Sequence, residues 1–106
     1  WAQLFLPLRR APQLRAVKWV HLRANPVPQP CYGGRKLPGW GPFHSTACIH
    51  VGSKDYEDDD ACLAHAASSR AVLAEVERLS REDGVPPERV VVGGFSQGAA
   101  IALESA

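Results

Sequence analysis

Apolar positions near the start of the chain, Trp1, Leu4, Phe5 and Leu8, follow a helical spacing that Pro7 and Pro12 interrupt. That pattern predicts a short amphipathic helix or turn, fraying where each proline removes a backbone donor. Val17-Lys18-Trp19-Val20-His21-Leu22 is β-branched and aromatic between polar flanks, and predicts a strand. From Arg23 to Lys54 all periodicity is lost. Pro26, Pro28, Pro30, Pro38 and Pro42, with Gly33, Gly34, Gly39, Gly41 and Gly52, rule out a long helix and argue against central strands. A loop of this length inside a compact domain is usually functional, or else a disordered or misread segment. Leu37, Trp40 and Phe43 are its candidate anchors on the core.

Periodicity returns between Asp55 and Asp83. Leu63, Ala66, Ala67, Val72, Leu73, Val76 and Leu79 fall on one face of a helix. Asp58, Asp59 and Asp60 gather at its start and Arg78 and Arg81 near its end, the arrangement that opposes the helix dipole. Gly84 and Pro86-Pro87 then stop it. The acidic run therefore reads as a helix start, because a calcium loop needs alternating ligands that are absent. Arg89-Val90-Val91-Val92-Gly93 reads as a short buried strand, and Ala99-Ala100-Ile101-Ala102-Leu103 as an apolar helix. Strands alternating with helices predict an α/β fold with a parallel sheet. At 106 residues the chain has room for one small domain.

Between the last strand and the last helix lies Gly94-Phe95-Ser96-Gln97-Gly98, a G-x-S-x-G run. A serine set on so sharp a turn leaves no space for side chains two residues to either side, hence the glycines. The helix behind it points N–H groups at any oxyanion formed on the serine. Strand, turn and helix are all present, so the run reads as a nucleophile elbow, with Ser96 as nucleophile and the Gln97 backbone N–H as an oxyanion donor.

Composition changes this picture little. Hydrophobic content of 45% and charged content of 22% are ordinary for a globular protein. No apolar run is long enough to cross a membrane, and no secretory or transit signal is visible within these residues. The net charge of +1 hides an asymmetry: residues 1–54 carry eight Lys/Arg and no Asp/Glu, whereas residues 55–106 carry four basic and eleven acidic side chains. The basic residues are scattered, which fits solvated surface better than a nucleic-acid partner. Cys31, Cys48 and Cys62 lack metal or disulfide spacing and are expected as free thiols in a reducing, cytoplasmic setting. Neither a cofactor nor a metal is expected; no H-E-x-x-H is present.

A serine hydroxyl needs a histidine to take its proton and a carboxylate to orient that histidine. Enzymes with this elbow place them after the serine, in the order Asp/Glu then His. Residues 97–106 hold Glu104 and no histidine. Of the upstream histidines, His21 ends the first predicted strand, where parallel sheets form active sites, and is the one conceivable substitute. His44, His50 and His65 read as surface or part-buried structural residues.

The run Asp83-Gly84-Val85-Pro86-Pro87-Glu88-Arg89-Val90-Val91-Val92-Gly93-Gly94-Phe95-Ser96-Gln97-Gly98 resembles the elbow region of the acyl-protein thioesterase/lysophospholipase (phospholipase/carboxylesterase) family of α/β-hydrolases. Trp1-Ala2 with Phe5, Val17 to Pro26, and Leu37-Pro38-Gly39-Trp40 are similar to further family patterns in the same order. Gly41-Pro42 departs from it, since the family has an aromatic residue and an Asp there. The resemblance implies an α/β-hydrolase fold, here partial. The family's N-terminal oxyanion loop would precede Trp1, and its catalytic Asp and His would follow Ala106. It also implies a serine hydrolase that cleaves fatty-acyl thioesters of palmitoylated proteins, lysophospholipids or other carboxylic esters through an acyl-enzyme, with at most transient contact with a membrane surface. The isolated 106 residues are expected to be inactive. The alternatives are a non-catalytic truncated fragment and a fungal family of small serine hydrolases, whose G-F-S-Q-G-A-A elbow Ala99 suits.

Overall fold

The computed structural model describes residue 3, residues 5–46, residue 52, residues 54–57 and residues 59–106. Trp1, Leu4, Cys48, His50 and Asp58, which enter the sequence reading, lie outside them.

Helix α1 (Leu6–Arg10) begins with a proline in its first turn, and a 3-10 turn at Pro12–Leu14 does the same. The two prolines thus start helical turns, where the missing N–H would have had no partner anyway, and do not fray one. The stretch read as irregular holds the one regular sheet among the described residues. Strands β1 (Pro26–Gln29) and β2 (Arg35–Pro38) pair antiparallel, with Val27 opposite Leu37 and Gln29 opposite Arg35. The turn uses a 3-10 segment, Pro30–Tyr32, followed by Gly33 and Gly34 at φ of 64° and 79°. Proline content argued against strands here, and the register explains why it fails to prevent them. The Gly39 N–H donates to the Asn25 carbonyl, which sets the parity of the ladder. Pro26, Pro28 and Pro38 then occupy the alternate positions, whose N–H groups would point away from the partner strand.

Helix α2 (Lys54–Glu57) leads into α3 (Asp59–Asp83), matching the predicted helix. Gly84 follows at φ 65°, and the Val85 N–H reaches back to the Leu79 carbonyl, closing the C-terminus. Val72 and Leu79 of α3 pack with Ile101 of α4 (Gln97–Glu104) to form the buried apolar centre. A polar pair lies beside it: the Ser69 and Ser105 hydroxyls are 3.0 Å apart, and Ser105 also donates to the Ile101 carbonyl at 2.7 Å. Leu63 and Leu73, read as part of the apolar face, are exposed.

Among the described residues the predicted parallel sheet is not formed. Neither residues 18–24 nor residues 91–95 form a strand ladder with any described residue. An apolar cleft of about 240 Å³ is lined by Val20, His21 and Leu22 of the first segment, by Val90 to Phe95 of the second, and by Val72 and Ile101. A strand exists only through its partner, and neither segment has one among the described residues. The first segment is held by ring contacts of Phe5 with Trp19 and His21, at centroid distances of 6.4 and 6.1 Å, and by an ion pair. Lys18 Nζ lies 2.6 Å from the Asp83 carboxylate, while Arg78 binds Glu75 and Glu82 at 2.7 Å each. The Lys18 hydrogen bond holds the Asp83 carboxyl below its ordinary range, and the Arg78 hydrogen bond does the same for Glu75. Among the described residues no helix is long and apolar enough to cross a membrane.

Candidate active site

Residues 90–95 deliver the chain to the elbow, and Ser96 sits at its apex. Its backbone has φ 53° and ψ −126°, which makes it the one non-glycine residue at positive φ among those described. Side chains rarely adopt this region, so the turn is strained at the serine itself. Gly94 makes the turn possible. A Cβ there would fall 2.0 Å from the Gly98 carbonyl oxygen and 2.2 Å from its carbon, and backbone has no room to yield. At Gly98 a Cβ would meet the Trp40 indole nitrogen at 3.2 Å, a tight but softer contact. Both flanking glycines of the motif are therefore required by contact, one more severely than the other.

Ser96 precedes α4 without capping it: its hydroxyl makes no hydrogen bond to the helix, and the residue is exposed. The Gln97 N–H, first of the helix, is likewise unbonded among the described residues, while the next amides bond back to Phe95 and Ser96. A free hydroxyl thus stands beside a free backbone donor, the minimum needed for attack on a carbonyl and for holding the resulting oxyanion.

No described histidine is hydrogen-bonded to Ser96. The His21 ring packs on Phe5 with centroids 6.1 Å apart and lines the cleft. The His44 N–H donates to the Asp55 carboxylate. His65 is half-buried on α3 against Gly41 and the amide of Gln97, in keeping with a structural role. Glu104, the last residue of α4, is exposed. Cys31 and Cys62 are free thiols, and no group of three or more potential metal ligands occurs among the described residues.

The sequence did not reveal how the loop after β2 is seated on the elbow. Gln97 Oε1 accepts from the Trp40 N–H at 2.8 Å, and its Nε2 donates to the Gly41 carbonyl at 3.1 Å. Gln29 donates to the same carbonyl at 3.2 Å and accepts from the Phe43 N–H at 2.8 Å, while the Ser68 hydroxyl donates to the Trp40 carbonyl at 2.7 Å. Trp40 and Phe43 are half-buried, as their apolar character suggested. No sequence signal marked Gln29, whose burial inside a mostly exposed proline-rich run appears only in the structure.

The family model described as phospholipase/carboxylesterase matches residues 3–106. Among curated relatives, the chain is 33% identical over 95 residues to a probable carboxylesterase of Oryza sativa, covering 90% of this chain and 33% of the relative. It is 30% identical over 105 residues to acyl-protein thioesterase 1 of Neurospora crassa, covering 99% of this chain and 41% of the relative. With acyl-protein thioesterase 1 of Yarrowia lipolytica it shares 28% identity over 103 residues, covering 97% and 42%. The chain therefore spans between a third and two-fifths of the length of these relatives. No solved structure matches it significantly.

Proposed function

The chain belongs to the phospholipase/carboxylesterase family, whose fold is the α/β-hydrolase fold, and from that premise we propose that it carries the nucleophile half of a serine hydrolase acting on fatty-acyl thioesters or carboxylic esters. The observation that carries this reading is Ser96 itself: exposed, uncapped, and held at positive φ beside the free Gln97 N–H.

In the proposed reaction Ser96 Oγ bonds to the acyl carbonyl carbon as its proton passes to a histidine. The tetrahedral oxyanion is held by the Gln97 N–H. Collapse breaks the bond to sulfur or oxygen, and the leaving group takes up the proton. Water then attacks the acyl-enzyme and restores Ser96. The histidine and its orienting carboxylate are proposed to come from outside these 106 residues, because none of the described histidines, His21, His44 and His65, is hydrogen-bonded to Ser96. Acylated proteins and carboxylic esters, the classes in the relatives' names, are the proposed substrates, with palmitoylated protein cysteines and lysophospholipids put forward from the family resemblance. The free thiols of Cys31 and Cys62 suit a cytoplasmic setting.

A fluorophosphonate probe applied to the full-length protein is expected to label Ser96, and Ser96→Ala to abolish labelling. Labelling that survives the substitution overturns the assignment. The 106 residues alone are expected to show no ester turnover, since removing a triad histidine lowers kcat on the order of 10⁶-fold in a measured hydrolase. Turnover by the isolated chain that disappears with Ser96→Ala would instead show that the base lies within it.

A further inference from the structure

We infer that the Gln97 side chain is a positioning residue for its own backbone N–H, aiming the proposed oxyanion donor by tying it to the Trp40–Gly41 loop; this rests on the reading of Ser96 as the nucleophile. The carbonyl side of the peptide between Ser96 and Gln97 accepts from the Ala99 and Ala100 N–H groups at 2.9 and 3.4 Å. Its other side, the Gln97 N–H, follows a strained residue and has no intrahelical partner. The side chain adds a constraint from outside the helix. Its amide accepts from the Trp40 N–H at 2.8 Å and donates to the Gly41 carbonyl at 3.1 Å, so one planar group reads a donor and an acceptor of the loop together. Glutamate lacks the donor, and asparagine is one methylene too short.

The loop is itself anchored to α3 and β1, through Ser68 on the Trp40 carbonyl and Gln29 on the Gly41 carbonyl. It is also fitted to this chain. Gly41 stands where the family pattern has an aromatic residue, and a Cβ there would fall 2.6 Å from the His65 ring. The His65 Nε2 is 3.4 Å from the Gln97 Nε2, at the weak limit of hydrogen bonding. Gly41 and His65 therefore fit each other, and a side chain added at 41 must displace either the His65 ring or the loop that Gln97 holds.

The test uses the full-length protein, measuring the rate of fluorophosphonate labelling at Ser96, kcat and KM for a short-chain p-nitrophenyl ester, and thermal melting. Gln97→Ala and Gln97→Glu are expected to lower kcat on the order of 10- to 100-fold with KM nearly unchanged, the size of effect that a misplacement near 1 Å produces. Gly41→Ala is expected to lower it similarly, and His65→Ala added to Gly41→Ala to restore most of the loss by removing the obstructing ring. Gln97→Ala combined with Gly41→Ala should be no worse than either alone. Wild-type kcat in Gln97→Ala, or a Gly41→Ala defect that His65→Ala does not relieve, overturns the inference. Should Gln97→Ala fail to fold, the Gly41–His65 arm decides alone. If the wild-type protein is not labelled at Ser96, the hydrolase reading fails; if it is labelled and Gln97→Ala labels equally fast, only the positioning role fails.

Discussion

Ser96 at φ 53° is held in a backbone region that costs a non-glycine residue on the order of 1–3 kcal/mol. Replacing it by glycine should therefore leave the protein more stable than replacing it by alanine, by about 1 kcal/mol, read as a higher melting temperature for Ser96→Gly than for Ser96→Ala. Equal melting temperatures would mean that the turn stores no strain. The two motif glycines should separate in the same kind of measurement. Gly94→Ala drives a Cβ into Gly98 backbone at 2.0 Å and should abolish Ser96 labelling. Gly98→Ala meets only the edge of the Trp40 indole at 3.2 Å, which can shift by a few tenths of an ångström, and should retain labelling at a reduced rate. At this scale the sequence was most informative, because the spacing G-x-S-x-G encodes a steric requirement among near neighbours. It was silent on the Gln97 side chain, whose partners Trp40 and Gly41 lie 57 and 56 residues away. A side chain bonding to distant backbone leaves no periodic trace.

Among the elements, α3 was legible because 25 residues of helical spacing, a closing glycine and following prolines all agree. The β1–β2 hairpin was not, since a count of prolines says nothing about which edge of a strand they occupy. Where α3 ends, the Lys18–Asp83 pair joins it to the segment after α1 and the Arg78 pairs brace its own last turns, and their pH dependence has a definite sign. Asp83 and Glu75 titrate below their unfolded values, so their contribution is complete above the ordinary carboxylate range and is lost as pH falls through the lowered folded values. Melting temperature should drop as pH is taken from about 5 to about 3, and Asp83→Asn should flatten part of that drop. Both pairs are largely solvent-exposed, so the difference between Asp83→Asn and wild type should be small at neutral pH and weaken further in salt. A wild-type curve flat across this range would remove the ion pairs from the stability account.

At the level of the whole chain, buried apolar side chains among the described residues are confined to Val72, Leu79 and Ile101, and only Ile101 is fully buried. The radius of gyration, 15.7 Å, exceeds the roughly 13 Å expected for a compact domain of this length. Produced by themselves, these 106 residues should melt broadly and without cooperativity by circular dichroism; a sharp two-state transition would show that so small a centre suffices. The parallel sheet expected from alternating elements was illegible for a related reason. Pattern identifies which segments are suited to be strands, but whether a ladder forms depends on what lies across the cleft. The hairpin points the other way. With Pro26 and Pro28 at its outward-facing positions, the β1 edge lacks the donors that a further strand would need, and Pro38 leaves the β2 edge only the Lys36 N–H, beside a charged side chain. It is a sheet with one blocked edge and one discouraged edge. The bare amides of residues 91–94 have no such guard, so association of the isolated chain should begin at that edge and spare the hairpin.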